Sequence, residues 1–302
     1  MEVVTQKSTR TNLKPRKSMS PWAIARRKFV RNKLAMVSLC FLMFIAIISF
    51  LAPHITTQDI TRVNISQMSL EPSSDHWLGT DKSGRDVFTR LLYGGRISLF
   101  VGISCTLIVI FIGTVIGAIA GYFGGFVDGI LMRFTDFILN FPVLVFVIVL
   151  NTIFFGKANG VWVLIVVIGA LYWGGIARVV RSKVLAEKEN EYVLAAVSIG
   201  SSPAKVIIKH LLPNVLSTII VQATLTFATM IIIESALSYL GFGVPQEVPS
   251  WGNMLSFANE PDVLQSKPWM WMPPALAITL TILSINFIGE GIKDALNPKS
   301  RR

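Results

Sequence analysis

Residues 191–214 read EYVLAAVSIGSSPAKVIIKHLLPN and lie between two long apolar segments. The stretch is too polar to sit in lipid, and its local signals describe two short helices joined by a tight corner. Acidic residues Glu187, Glu189 and Glu191 crowd the start of the first helix, where the macrodipole favours anions. Gly200 offers the left-handed conformation that ends such a helix. Ser202 and Pro203 follow as an N-cap and a proline at the first helical position. Lys209 and His210 stand at the C-terminal end of the second helix, and Pro213 is expected to stop it. A rigid polar knuckle between two membrane spans suggests a surface for another protein to push on. An ordinary loop is the plainer alternative.

The composition is that of a membrane protein. Hydrophobic residues make up 52% and charged residues 15% of 302 positions, and the mean hydropathy is +0.60. Soluble domains carry roughly 25% charged residues. The net charge of +11 could point to nucleic acid, but much of it sits beside the ends of apolar spans. Cys40 and Cys105 both fall inside apolar segments and read as packing residues.

Six spans follow from the apolar runs. Residues 1–33 form a basic tail and a helix from Ser20-Pro21, whose apolar face of Trp22, Ala25 and Phe29 suits an anionic membrane surface. A nucleic-acid arm is the rival reading. Residues 34–52 are the first span, longer than the apolar core of a cleaved signal peptide. Residues 53–96 form a mixed outer segment that closes in an amphipathic helix on the membrane surface. Residues 97–292 hold five further spans, at about 97–120, 130–155, 161–180, 215–239 and 273–291. Gly113, Gly117 and Gly121 recur every four residues on the second span, a signal for close helix approach. Pro142 marks a kink in the third. The knuckle occupies 186–213, an outer loop rich in Pro and Trp spans 241–273, and a basic tail covers 293–302.

With an even number of spans both termini share a side. That side, with the knuckle, carries 21 Lys and Arg residues against seven on the other. The positive-inside rule therefore places the termini and the knuckle in the cytoplasm.

The fifth span bears a polar stripe, Thr218, Gln222, Thr226 and Thr229, with Asn214 one turn earlier. It lines a wet pathway or makes interhelical hydrogen bonds; the residues alone do not choose. Glu234 is the only carboxylate well inside an apolar run, which makes it a functional candidate. Near the outer end, it could equally snorkel or pair with a neighbouring helix. Other chemistry has no support. No G-x-x-x-x-G-K-[ST] phosphate loop occurs. His54, His76 and His210 are isolated, and Asp81–Asp86 lacks the acidic spacing of a calcium loop. No catalytic and no metal-binding residue is assigned. So few charges lie in the spans that a proton relay is hard to build. A transporter of this kind needs an external engine. A non-transport membrane enzyme would need a polar catalytic cluster, and Glu234, Glu290 and His210 are scattered.

At this point the knuckle resembles the coupling loop of permease subunits of binding-protein-dependent ABC importers. Glu191, Tyr192, Ala195, Ala196, Gly200, Ile208, His210, Leu212, Pro213 and Asn214 fit the version used by the dipeptide and oligopeptide branch. Val197 stands where that branch often has a basic residue. His76–Asp81 with Gly84-Arg-Asp86, Glu234–Val244 with Pro249–Leu255, and Gly289–Pro298 resemble the same branch. Pro21-Trp22 and Arg31–Ala35 resemble the N-terminal extension of its C-type subunit. The resemblance implies an all-α integral membrane fold of six transmembrane helices in a bacterial cell membrane. It implies a second permease subunit, two cytoplasmic ABC ATPases that dock on the loop, and an extracytoplasmic peptide-binding protein facing 53–96 and 241–273. ATP and magnesium would be bound in the ATPases, with no cofactor on this chain. Oligopeptide is the first choice of cargo; dipeptides, nickel chelates, glutathione and small glycans are alternatives within the same machine.

Overall fold

A computed structural model describes residues 21–154 and 160–296. The tail before residue 21, most of the polar link at 156–160 and the terminal Lys299, Arg301 and Arg302 lie outside the described residues. Those described are helical or irregular, with no strand among them and one isolated bridge between Thr80 and Asp86.

Helix α1 (Pro21–Arg31) meets α2 (Lys33–Phe50) at Asn32, whose side chain accepts from the Ala35 amide at 3.2 Å. Helix α3 (Val87–Phe123) is continuous over 37 residues, about 55 Å at 1.5 Å per residue. The expected surface helix after Asp86 is therefore the first turns of the second span itself. Asp86 caps that helix, accepting from the Thr89 amide at 2.7 Å, and its other oxygen meets buried His76 at 3.0 Å. With its start fixed this way, and no Pro or chain turn before Gly124, nothing separates the two segments.

The third span is broken. Helix α4 (Gly125–Asn140) and α5 (Val143–Phe154) meet at 79°. Pro142 disfavours the α conformation at the residue before it, and Phe141 is extended at φ −75°, ψ 139°. The fourth bends by 41° between α6 (Gly160–Leu171) and α7 (Gly174–Lys188). There the Trp173 indole donates to the Ala170 carbonyl at 2.9 Å. Counting each bent pair as one span gives six, with α2, α3, α9 (Pro203–Tyr239) and α11 (Pro268–Leu296) as the continuous ones.

The three-glycine row on α3 is the seam for α7. A Cβ at Gly113 would lie 2.6 Å from Ile176 Cβ, one at Gly117 2.5 Å from the Ala177 carbonyl oxygen, and one at Gly121 2.9 Å from that of Arg181. Cα-to-backbone approach of this kind needs glycine. Ion pairs tie α7 to α4 as well: Arg181 holds Asp128 and Arg178 holds Asp136. Lys188 donates to the Tyr122 carbonyl at 2.6 Å.

At the opposite end, residues 56–86 and the loop after α9 form a cap. Arg90 donates to the carbonyls of Ile60 and Gln246, tying both parts to α3. The loop is only partly an outer surface. Its short helix α10 (Trp251–Leu255), closed by a Ser250–Asn253 capping box, turns back among α3, α9 and α11. Trp251 is buried there and donates to the Leu91 carbonyl at 3.0 Å. Helix α11 begins at Pro268, five residues earlier than the sequence suggests, because Pro273 and Pro274 are accommodated near its start.

Candidate docking loop at the basic end

The loop is built outward from α7. Its end at Lys188 is followed by α8 (Glu191–Ser198), the Gly200 corner and the start of α9. Of the three acids, only Glu191 lies in the first turn of α8. Glu187 belongs to the preceding helix, and its carboxylate accepts from Asn190 and from the Tyr192 hydroxyl, both at 2.8 Å.

Gly200 takes φ +81°, and the Ser201 amide reaches back to the Ala196 carbonyl at 3.1 Å, closing α8 with a left-handed residue. Ser202 occupies the cap position at φ −64°, ψ 150°, with Pro203 first in the helix, but the Ser202 side chain makes no capping bond. The second helix does not end at Pro213. It runs on as α9, through a π-turn at Ile207–Leu211. Proline lacks an N–H, and its ring crowds the carbonyl four residues back. A wider turn relieves that crowding and lets the helix continue. Lys209 and His210 thus lie inside the π-turn, and Asn214 donates to the His210 carbonyl at 2.7 Å.

Two faces result. Val193, Ala196 and Val206 are buried against the body of the protein. Facing away are Tyr192, Leu194, Ala195 and Val197, then Ile199, 83% exposed, and Ile208, 63% exposed. Glu191, Ser202, Pro203, Pro213 and Asn214 are also exposed, while His210 and Leu212 are half-buried. An exposed apolar crest on a rigid polar corner has the character of surfaces on which other proteins dock, which makes it the candidate docking site. Ile199 extends it beyond the residues singled out from sequence; its clue was an apolar side chain at a corner otherwise polar.

The crest is coupled to the spans by a side-chain brace. The Tyr192 hydroxyl donates to Glu187 at the end of α7, and the Asn214 amide donates to the same hydroxyl at 3.0 Å from α9. Partial burial and the Glu187 carboxylate hold the Tyr192 hydroxyl above its ordinary pKa, so it remains a neutral donor at physiological pH. Tyr192→Phe is expected to remove about 1 kcal/mol of local stabilisation. Uptake per ATP hydrolysed should fall while the subunit still assembles; an unchanged ratio in reconstituted vesicles would remove the brace from the coupling path.

The stripe on α9 and Glu234 do not share a face. At 100° per residue, Thr218, Gln222 and Thr229 cluster within a narrow arc, and Glu234 lies well round the helix from Thr229. Thr218 and Gln222 are half-buried and Thr229 is exposed, bonded to the Leu225 carbonyl; Thr226 is buried. Glu234 is 0% exposed. Ser238 donates to it at 2.9 Å and Ser235 at 3.4 Å, and the hydroxyls of Ser98 and Ser250 face the same carboxyl. The Val244 amide in turn donates to Ser238 at 3.1 Å. Glu234 therefore sits in a serine nest that joins α9, α3 and the outer loop, away from the open stripe.

The described residues thus form a helical protein with up to six membrane spans and a braced, apolar-crested loop at its basic end. Residues 113–302 match the family described as the binding-protein-dependent transport system inner membrane component, and residues 20–72 match the N-terminal TM domain of oligopeptide transport permease C. The chain is 42% identical over 289 residues to the dipeptide transport system permease protein DppC of Bacillus subtilis, covering 95% of this chain and 88% of that one. It is 41% identical to the oligopeptide transport system permease protein OppC of Haemophilus influenzae, over 93% and 90% of the two chains. The chain belongs to the family of inner membrane components of binding-protein-dependent transport systems. It is a multi-pass membrane permease and a transport subunit.

Proposed function

We propose that this chain forms, with a second permease subunit, the pathway of an ATP-driven importer of peptides, with oligopeptides as the leading cargo. Its relatives named for dipeptide and oligopeptide transport support that cargo. Two ATPases bind ATP and magnesium on the cytoplasmic side, and this chain binds no nucleotide of its own. An extracytoplasmic binding protein delivers the peptide to the surface made by 53–96 and the exposed parts of 241–273. The termini and the docking loop face the cytoplasm, as the distribution of Lys and Arg indicates.

The observation that carries the mechanism is the brace of Glu187, Tyr192 and Asn214 behind the exposed crest. A push on the crest reaches α7 and α9 together. Helix α7 is locked to α3 by the glycine seam, so the motion spreads to the second span. ATP-driven closure of the ATPases would thus tilt three spans as a unit and switch access between the two sides. Purification of the assembled complex, with mass spectrometry of the bound binding protein and its ligand, tests the reading. Recovery of a stable lone subunit, or of a binding protein carrying a non-peptide ligand, would count against it.

A further inference from the structure

We propose that a cavity around Arg96, at the end opposite the docking loop, receives the C-terminal carboxylate of the transported peptide. The inference rests on the peptide-importer reading and on the outer placement of residues 53–96.

The cavity measures about 380 Å³, and its walls come from α2, α3 and both outer segments. Phe50, Ile60, Phe100 and Pro249 supply apolar surface, and Tyr93 and Arg96 supply the donors. No acidic residue lines it. A volume in this range accommodates a small ligand or one end of a peptide.

Arg96 stands apart from the other basic groups around it. Arg85 is held by Asp81 at 2.7 Å, Arg90 by two backbone carbonyls, and Lys82 pairs with Glu260. Among the described residues Arg96 has neither a carboxylate nor a carbonyl partner; its guanidinium lies 6.0 Å from the centroid of the Phe50 ring. The Tyr93 hydroxyl is likewise without a hydrogen-bond partner among them. A guanidinium held over an aromatic face keeps its N–H groups free for a further partner. A planar fork of donors in one cavity with the Tyr93 hydroxyl matches a carboxylate, and the apolar walls match the last side chain of a peptide. Arg96 remains exposed, so the contact is weak enough to release the peptide onward, as a transit site requires.

The test uses the assembled complex in phospholipid vesicles, with binding protein loaded to the same extent by one peptide sequence as its free acid or its C-terminal amide. The wild-type complex should import the acid about tenfold faster, the span of a charge-assisted hydrogen bond at a wet site. Arg96→Met should bring the acid down to the rate of the amide and leave the amide nearly unchanged. Arg96→Lys, which keeps the charge and loses the fork, should fall between them. An equal loss for both peptides would assign Arg96 to lipid phosphate or to folding and overturn the proposal, as would an unchanged preference in Arg96→Met. Failure of the wild-type complex to import either peptide would instead overturn the importer reading itself.

Discussion

Gly200→Trp is expected to abolish ATP-coupled uptake while the protein reaches the membrane at its normal level. Two features of the corner separate folding from docking. A Cβ at Gly200 would meet nothing within 4 Å beyond its chain neighbours, so a side chain leaves the backbone there into open space. The backbone, at φ +81°, penalises any residue but glycine, by about 1–2 kcal/mol. That strain is local and exposed. The indole, however, would stand beside Ile199 on the crest proposed to meet the ATPase. Gly200→Ala supplies the control, since it carries the same backbone strain with almost no bulk. Uptake by reconstituted vesicles and co-purification of the ATPases should both collapse for Trp and largely survive for Ala. Full uptake by the Trp variant would show that nothing docks at this corner.

Gly117→Leu should have the opposite character: a failure of the subunit to fold, whatever its partners. The Cβ position at Gly117 is already 2.5 Å from the Ala177 carbonyl oxygen, 2.9 Å from Val180 Cβ and 3.0 Å from the Arg181 amide nitrogen. Two of the three obstacles are backbone, which cannot rotate away. Overpacking in a side-chain core costs about 1–3 kcal/mol, and a clash with backbone belongs at or above the upper limit. Loss of the protein from the membrane fraction, or a sharply lowered unfolding temperature in detergent, is the expected result. Gly129→Ala, where the added methyl meets nothing within 4 Å, should be tolerated. Equal behaviour of the two variants would mean that the seam does not hold α3 and α7 together.

The contrast between these glycines shows what sequence makes legible. A four-residue period of glycines reports close packing without naming the partner, and it took the fold to pair Gly113, Gly117 and Gly121 with α7. The spans themselves follow from apolar length, and Phe141-Pro142 from the steric rule for residues before proline. Gly200 is equally plain, because few residues other than glycine end a helix that way. What misled was Pro213. Local rules read it as a stop, yet a π-turn upstream carries the helix through it. Continuity past a helix breaker depends on the packing of neighbouring residues such as Leu211, buried against the body, and no local signal reports that. Glu234 stood out as a candidate, but its surroundings were hidden for a related reason. Its partners Ser98, Ser238 and Ser250 lie in three separate segments, so the nest exists only after folding.

The π-turn has an effect at a distance. A turn widened by one residue shifts the rotational phase of everything after it, by about 100° relative to an uninterrupted α-helix. Helix α9 continues for 28 residues beyond that turn, from Leu212 to Tyr239. The compass bearing of Glu234, far along the same rod, is therefore fixed near the docking loop. Straightening Ile207–Leu211 into plain α geometry with every residue kept would rotate Glu234 out of its serines, whereas removing one residue there would let the turn become α-helical and keep its bearing.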